Sequence, residues 1–268
     1  ERNHRSGSFM EMLDSTLSAL RTKLGIPKDY EIYLVSSATE CWEIVAQSLV
    51  RERSLHLYNG AFGEKWYDCT KRIHSGAQGT AFPLHEAPVL PSHTEAELLC
   101  LTHCETSNGT YLPDELLGKI RADFGGLIAV DATSSMGGLA LPWALADVWF
   151  ASVQKCFGLP AGLGILVVSP AAVRRANLLG DRKYYNSLLF IRENFLSSQT
   201  PYTPNVLGIY LLGRLMQQRA PIIEVAEEVQ RRAANWYAYL AQRGLVSLCS
   251  VGLFQSPTVI AIRLAPDN

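Results

Sequence analysis

Residues 126–168, GLIAVDATSSMGGLALPWALADVWFASVQKCFGLPAGLGILVV, decide the fold. They contain two apolar runs, 127–130 and 148–152, which predict two buried strands. The first run is followed by Asp131, and the second is followed closely by Lys155. A carboxylate and an amine at strand ends, beside glycine-rich turns, indicate a pocket at the carboxyl edge of an α/β sheet.

The chain alternates between strand and helix patterns up to residue 170. Apolar runs also predict strands at 30–35, 54–58, 80–83, 98–102 and 162–168. Helical spacing of apolar residues predicts helices at 10–24, 40–50, 65–73 and 113–121. This order predicts an α/β fold with a mostly parallel sheet flanked by helices. The strand at 162–168 follows Lys155 after a short turn, so we expect it to return antiparallel beside its predecessor.

Helix patterns dominate the remainder of the sequence. They predict helices at 171–179, 182–198, 204–219 and 222–243, and two further strands at 245–249 and 258–264. We therefore predict a large domain over residues 1–220 and the beginning of a small C-terminal α/β domain over residues 221–268.

Composition limits the classes of partner. The chain has 268 residues, 48% hydrophobic and 18% charged, with a formal net charge of −1. Because a net charge near zero offers no basic face, we expect neither nucleic acid nor an anionic membrane as a partner. The first residues are polar and no apolar run is long enough to span a membrane. We therefore expect no membrane span, no signal peptide and a cytoplasmic location.

The six cysteines include no C-x-x-C pair, which favours reduced, buried thiols over disulfides or a zinc site. Cys100 and Cys104, beside His103, are the one pair with a spacing worth testing for metal binding. A structural zinc ion needs a complete set of ligands at suitable spacing. No metal is therefore predicted.

Small hydroxyl residues lie between the first predicted strand and the helix that follows it. Residues 36–39 read Ser-Ser-Ala-Thr, and the N–H groups and dipole of a helix N-terminus favour a bound anion. An ordinary N-cap explains one of these hydroxyls. A phosphate cradle at Ala38 and Thr39 and a simple cap therefore both remain open. Phe62, in the loop after the second strand, is placed either to project into the same pocket or to pack that loop.

Lys155 and Asp131 together fit the chemistry of pyridoxal phosphate. An amine in an apolar turn loses solvation, so we expect its pKa to fall and the amine to become a nucleophile for a carbonyl. Asp131 is expected to pair with a protonated ring nitrogen. The other candidates are residues 37–39 at the phosphate, Phe62 on the ring face, Thr106 or Asn108 at the ring oxygen, and Gln154 beside the lysine. A reductase that uses the lysine for proton transfer is a competing hypothesis, although no G-x-G-x-x-G follows the first strand.

Four motifs resemble the class V aminotransferases of fold type I. They are residues 59–66 (NGAFGEKW), 105–110 (ETSNGT), 130–135 (VDATSS) and 152–164 (SVQKCFGLPAGLG). Near the N-terminus, His4 and Arg5, followed by Phe9, resemble the S-H-R-x-x-x-F element of phosphoserine aminotransferases. The resemblance covers nearly the whole chain and implies a pyridoxal-phosphate-dependent aminotransferase.

The resemblance also assigns cofactor contacts. It implies that Lys155 holds the cofactor as an internal aldimine, that Asp131 contacts the pyridine nitrogen and that Thr106 contacts a cofactor oxygen. Phe62 stands where many relatives carry a stacking tryptophan. The residues implied at the cofactor phosphate are Ala38, Thr39 and Gln154 and, from the other subunit, Gln199 and Thr200.

The assignment of Gln199 and Thr200 to the other subunit implies a homodimer with composite active sites. His4 and Arg5 match residues that hold the substrate phosphate, and a guanidinium fork suits such a group. O-phosphoserine as amino donor and 2-oxoglutarate as acceptor are therefore expected, in a step of serine biosynthesis. Transamination of alanine, serine or glyoxylate is the runner-up.

The sequence departs from the family pattern in four places. A segment before His4 and most of the small domain, with the arginine that binds the substrate carboxylate, are absent, and Arg263 is not assigned that role. Residues 36–40 (SSATE) replace a glycine-rich loop, and Phe62 replaces tryptophan. We expect a divergent subgroup or part of a longer chain. Two further hypotheses stay open: a cysteine desulfurase, for which Cys249 is poorly placed, and a catalytically silent dimerisation domain.

Overall fold

A seven-stranded sheet lies at the centre of the computed structural model, which describes residues 3–243 and 246–264. In chain order the strands are β1 (Glu31–Val35), β2 (Arg53–Tyr58), β3 (Gly76–Ala81), β4 (Leu98–Thr102), β5 (Cys104–Glu105), β6 (Thr110–Tyr111), β7 (Leu127–Asp131), β8 (Val148–Ser152), β9 (Gly164–Val168), β10 (Val246–Leu248) and β11 (Ile262–Leu264). The helices are α1 (Gly7–Leu24), α2 (Ala38–Leu49), α3 (Ala61–Ile73), α4 (Asp114–Asp123), α5 (Pro170–Leu179), α6 (Leu188–Phe195), α7 (Val206–Gln218) and α8 (Ile222–Ala241).

The sheet has the order β1-β9-β8-β7-β4-β2-β3. All neighbouring strands from β8 through β3 run parallel, whereas β9 is antiparallel to both β8 and β1. The mostly parallel α/β sheet and the antiparallel return of the strand at 162–168 are therefore confirmed. Short hairpins, β5 with β6 and β10 with β11, lie outside this sheet.

Both faces of the sheet are covered by helices, because alternate residues of each strand point to opposite faces. Trp149 and Ala151 of β8 pack in the core that includes α1, α4 and α7. Val148 and Phe150 pack in the opposite core, against α2, α3, α5 and α6. A strand buried on both faces reads as a continuous apolar run, which is why β8 could be predicted to the residue.

Several predicted boundaries differ from the structure. α3 begins at Ala61, four residues before the predicted start, because side chains from a distant segment cap its first turn. β3 spans Gly76–Ala81 rather than 80–83; it is an edge strand that pairs with β2 alone. The helix predicted over 182–198 is limited to α6, Leu188–Phe195.

The residues around β10 and β11 contact the loop between β5 and β6. The Ser250 hydroxyl (2.9 Å) and the Ser256 N–H (3.0 Å) both donate to the carbonyl oxygen of Gly109.

Strands β10 and β11 fall where a small domain is predicted, and the division at residue 220 stays a prediction. Residues 244–245 and 265–268, included in that predicted domain, lie outside the described residues. Across the described ranges, no helix is long and apolar enough to cross a membrane.

Candidate active site

A cavity opens at the carboxyl edge of the sheet, where parallel strands end side by side. β4, β7 and β8 end at Thr102, Asp131 and Ser152, and all three residues line the cavity. Seven residues predicted from the sequence are among those that line it: Ala38, Thr39, Phe62, Thr106, Asp131, Gln154 and Lys155. The cavity is therefore formed at the edge that the pattern of strand ends predicted.

Asp131 is buried and held by one hydrogen bond to each carboxylate oxygen. Its Oδ1 accepts from the Thr133 N–H at 2.9 Å, and its Oδ2 accepts from the indole N–H of Trp42 at 3.1 Å. Burial raises the pKa of the Asp131 carboxyl, while these hydrogen bonds act in the opposite direction. Each oxygen keeps acceptor capacity for a ligand donor. Sequence reasoning missed Trp42, because its position in an apolar helix is typical of a core residue.

The hydroxyl residues before α2 have separate partners. Ser37 is an ordinary N-cap, since its hydroxyl accepts from the Glu40 N–H at 3.1 Å. Ser36 donates to the Glu40 carboxylate, and the Ala38 N–H donates to the Ser152 hydroxyl at 2.7 Å. The side chain of Thr39 is exposed and borders the cavity. The cap is thus present, and an anion site at Ala38 and Thr39 stays a prediction.

Thr106 and Phe62 line two further sides of the cavity. The Thr106 hydroxyl lies 2.6 Å from the hydroxyl of Ser134. Asn108, the second candidate for the ring oxygen, instead donates to the Asn59 carbonyl and accepts from Thr110. Of the two candidates, Thr106 therefore faces the cavity.

Lys155 and Gln154 lie at the open side of the cavity, and both are exposed. Within the single chain, the prediction that Lys155 loses solvation in an apolar turn is wrong. Val153 and Phe157, its apolar neighbours in sequence, point into the core, and a tight turn closed by the Gly158 N–H on the Lys155 carbonyl (2.9 Å) leaves the lysine outside.

The remaining predicted residues lie together outside this cavity. The Arg5 guanidinium donates to the side-chain oxygen of Gln199 and, at 3.5 Å, to the Pro201 carbonyl. The buried Thr200 hydroxyl donates to the Tyr202 carbonyl at 2.7 Å. His4 precedes Arg5 and is half-buried. The structure therefore joins the segment predicted to bind the substrate phosphate to the segment predicted to reach the cofactor phosphate of the other subunit. Both of these roles stay predictions.

A second cavity adjoins that cluster and contains Thr200, Tyr202 and Asn186 in its lining. Asn186 is 2% exposed, and neither its amide oxygen nor its amide nitrogen has a hydrogen-bond partner among the described residues. A buried amide without partners is costly.

The cysteines of the described ranges are free. Cys100 lies in the core of β4, and burial raises the pKa of the Cys104 thiol to about 12. His103 has its Nδ1 2.8 Å from the Ser135 hydroxyl and its Nε2 3.5 Å from Asp114. No group of three or more His, Cys, Asp or Glu side chains suited to a metal was found in the part of the chain that the structure describes.

Known proteins are similar to this chain in sequence and in fold. The family model described as "Aminotransferase class-V" matches residues 89–265. A phosphoserine aminotransferase of Rhodococcus opacus (strain B4) is 34% identical over 218 residues, which are 78% of this chain and 57% of that protein. The chain thus spans little more than half the length of this curated relative.

Solved structures of phosphoserine aminotransferases are also similar to this chain. The crystal structure of a phosphoserine aminotransferase from Cytophaga hutchinsonii is 31% identical, with a TM-score of 0.91 over 98% of this chain and 76% of that one. A pyridoxal-phosphate-bound phosphoserine aminotransferase from Trichomonas vaginalis, 18% identical, shares the fold with a TM-score of 0.79 over 98% of this chain and 79% of that one. The family confirms the predicted fold type and pyridoxal phosphate as the cofactor. The chain belongs to the class-V aminotransferase family.

Proposed function

We propose that the protein is an aminotransferase that moves an amino group between a small amino acid and a 2-oxo acid. The observation that carries this proposal is the convergence of Asp131, Thr106, Phe62 and Lys155 on one cavity. A carboxylate, a hydroxyl, an aromatic ring and an amine are the groups that a substituted pyridine aldehyde requires.

The chemistry of these groups fits pyridoxal phosphate. Asp131 would hold the ring nitrogen, Thr106 a ring oxygen and Phe62 a ring face. The first turn of α2, with Thr39, and the side chain of Gln154 would hold the phosphate. When bound, this cofactor supplies an electrophilic carbonyl and a ring that accepts electrons from the substrate.

Each residue then has a defined task. Asp131 keeps a proton on the ring nitrogen, and Trp42 and the Thr133 N–H keep its carboxylate oriented. The Nζ of Lys155 would hold the cofactor until the amine of the substrate displaces it. The freed amine would then accept the proton from Cα of the amino acid and return it to the carbon that carried the cofactor aldehyde. Its exposure in a single chain leaves room for substrate and for a second subunit to exclude water there.

O-phosphoserine is the proposed amino donor and 2-oxoglutarate the acceptor, in serine biosynthesis. This part of the proposal is supported by the relatives, which are phosphoserine aminotransferases, and by the exposed side chain of Arg5 beside the half-buried His4. A guanidinium can grip a phosphate through two hydrogen bonds. Transamination of alanine, serine or glyoxylate remains the runner-up.

A homodimer with composite sites is the proposed assembly. Arg5, Gln199 and Thr200 lie away from the cavity of their own chain, so they would serve the cavity of the other. Tyr185 is 61% and Tyr202 47% exposed on the same surface, and an exposed aromatic patch is typical of an interface.

The deciding experiment is reduction of the protein with borohydride in the presence of pyridoxal phosphate, followed by mapping of the labelled peptide. We expect the label on Lys155 and a matching change in cofactor absorbance. Lys155→Ala should abolish half-transamination by O-phosphoserine. A label on another lysine, or unchanged half-transamination in Lys155→Ala, would refute the assignment.

A further inference from the structure

The carboxylate of Glu105 joins two segments that lie 43 residues apart in sequence. Its Oε1 accepts from the Ser107 N–H (2.9 Å), the Ser107 hydroxyl (2.7 Å) and the Phe62 N–H (3.4 Å). Its Oε2 accepts from the Gly63 N–H at 3.1 Å. Glu105 is 1% exposed, so these contacts replace water around a buried carboxylate.

These contacts cap helix α3 from outside. The first N–H groups of a helix have no partner within it, and the N-cap of α3 is Gly60, which has no side chain. The Ala61 N–H donates to the Ser107 hydroxyl at 2.9 Å, and the next two N–H groups donate to Glu105. A negative charge at this end of a helix is favourable, so residues 105 and 107 together supply the missing cap.

Gly60 shows how close this approach is. A Cβ at position 60 would lie 2.4 Å from Cγ of Glu105 and 2.6 Å from the Ser107 hydroxyl oxygen. The φ of Gly60 is −161°, an extended value open to any residue. Glycine is therefore required here by space, and the space is occupied by the carboxylate.

The contact between Glu105 and the first turn of α3 lies next to two residues that line the cavity. Phe62 lies in the capped turn, Thr106 follows Glu105 directly, and both line the cavity. We infer that Glu105 is a positioning residue, which fixes Phe62 relative to Thr106 so that the cofactor site is formed before the cofactor binds. This inference rests on the proposed function, because it concerns the site that the cofactor would occupy.

The test measures pyridoxal phosphate affinity of the apoprotein by absorbance titration, together with thermal unfolding without cofactor. Glu105→Gln keeps the side-chain shape but turns one acceptor into a donor that faces an N–H group. Glu97→Gln is the control. Glu97 also accepts a backbone N–H, that of Arg51 (2.7 Å), and pairs with Arg175, but it lies just before β4 and outside the cavity. Both variants should unfold at lower temperature. Only Glu105→Gln should weaken cofactor binding, by about tenfold.

A double-mutant cycle with Phe62→Ala separates positioning from general destabilisation. If Glu105 acts through Phe62, Glu105→Gln should weaken binding less in the Phe62→Ala background than in the wild type. Additive effects, wild-type affinity in Glu105→Gln, or equal weakening in Glu97→Gln would overturn the inference.

If Glu105→Gln does not fold, the cofactor affinity of Ser107→Ala tests the inference instead. It removes one donor to the carboxylate and the acceptor for the Ala61 N–H, and should weaken binding by about threefold. Unchanged affinity would overturn the inference. Wild-type protein that fails to bind the cofactor at Lys155 would instead contradict the proposed function itself.

Discussion

Removing the indole N–H of Trp42 should destabilise the protein through Asp131. Trp42→Phe keeps an aromatic ring but deletes the donor that lies 3.1 Å from Oδ2. A hydrogen bond to a charged group contributes about 1.5–3 kcal/mol, and its loss disfavours the charged form of the carboxyl. We expect the free energy of unfolding at neutral pH to fall by about this amount, in addition to the loss from the smaller ring.

The effect should depend on pH with a definite sign. Burial raises the pKa of Asp131 in the folded state, so its contribution to stability falls as pH rises from the ordinary aspartate range through the raised value. Without the Trp42 donor that pKa rises further and the loss at neutral pH grows. Below the raised pKa the folded carboxyl is protonated with or without the Trp42 donor. There the variant should differ from wild type mainly by packing and by a weaker hydrogen bond to a neutral group.

Urea unfolding of the apoprotein, followed by circular dichroism at neutral and mildly acidic pH, measures both quantities. The Asp131→Asn background is the control, since it removes the charge on which the donor acts. Trp42→Phe should cost less there, and its pH dependence should vanish. An equal cost in both backgrounds, or no pH dependence in the wild-type background, would refute the assignment of the donor.

Three further outcomes are expected. Arg5→Ala should lower kcat/KM for O-phosphoserine by about tenfold or more relative to serine, by steady-state kinetics, because a charged contact to phosphate is lost; equal loss for both donors would count against a phosphate role. Tyr185→Ser combined with Tyr202→Ser should shift the protein toward monomer in sedimentation velocity, whereas an unchanged dimer would remove that patch from the interface. Asn205→Ala should lower the free energy of unfolding by about 1 kcal/mol, because the Asn205 side chain accepts from the Gly208 N–H at 2.8 Å at the start of α7; unchanged stability in urea would contradict the cap.

The sequence predicts the central strands well because nearly every residue of these strands is buried among apolar side chains. β4 and β8 are buried throughout or nearly so, and β8 is covered on both faces. Such strands need apolar residues at every position, so their limits are visible in composition alone. β3, a glycine-rich edge strand whose last four residues are exposed, has no such signature, and its predicted range was displaced.

The start of α3 could not be predicted for a different reason. Its N-cap is Gly60 and its first turn contains Gly63; both glycines indicate a loop, and the capping groups come from Glu105 and Ser107. Such a contact depends on tertiary structure and leaves no local pattern. The same limit applies to Lys155, where the apolar sequence suggested burial but the turn directs the apolar neighbours inward and the amine outward.

Asp131 and Glu105 place two buried carboxylates near one another, and the charge of Glu105 raises the pKa of Asp131 further. Neither forms an ion pair with Lys or Arg within residues 3–243 and 246–264; both are compensated by N–H and hydroxyl donors. A cation would satisfy a buried carboxylate but would also cancel its field. Hydrogen-bond donors stabilise the charge and leave the potential at this end of the cavity negative. A negative potential favours a protonated ring nitrogen, so the choice of neutral donors over cations suits the site to a pyridinium ligand.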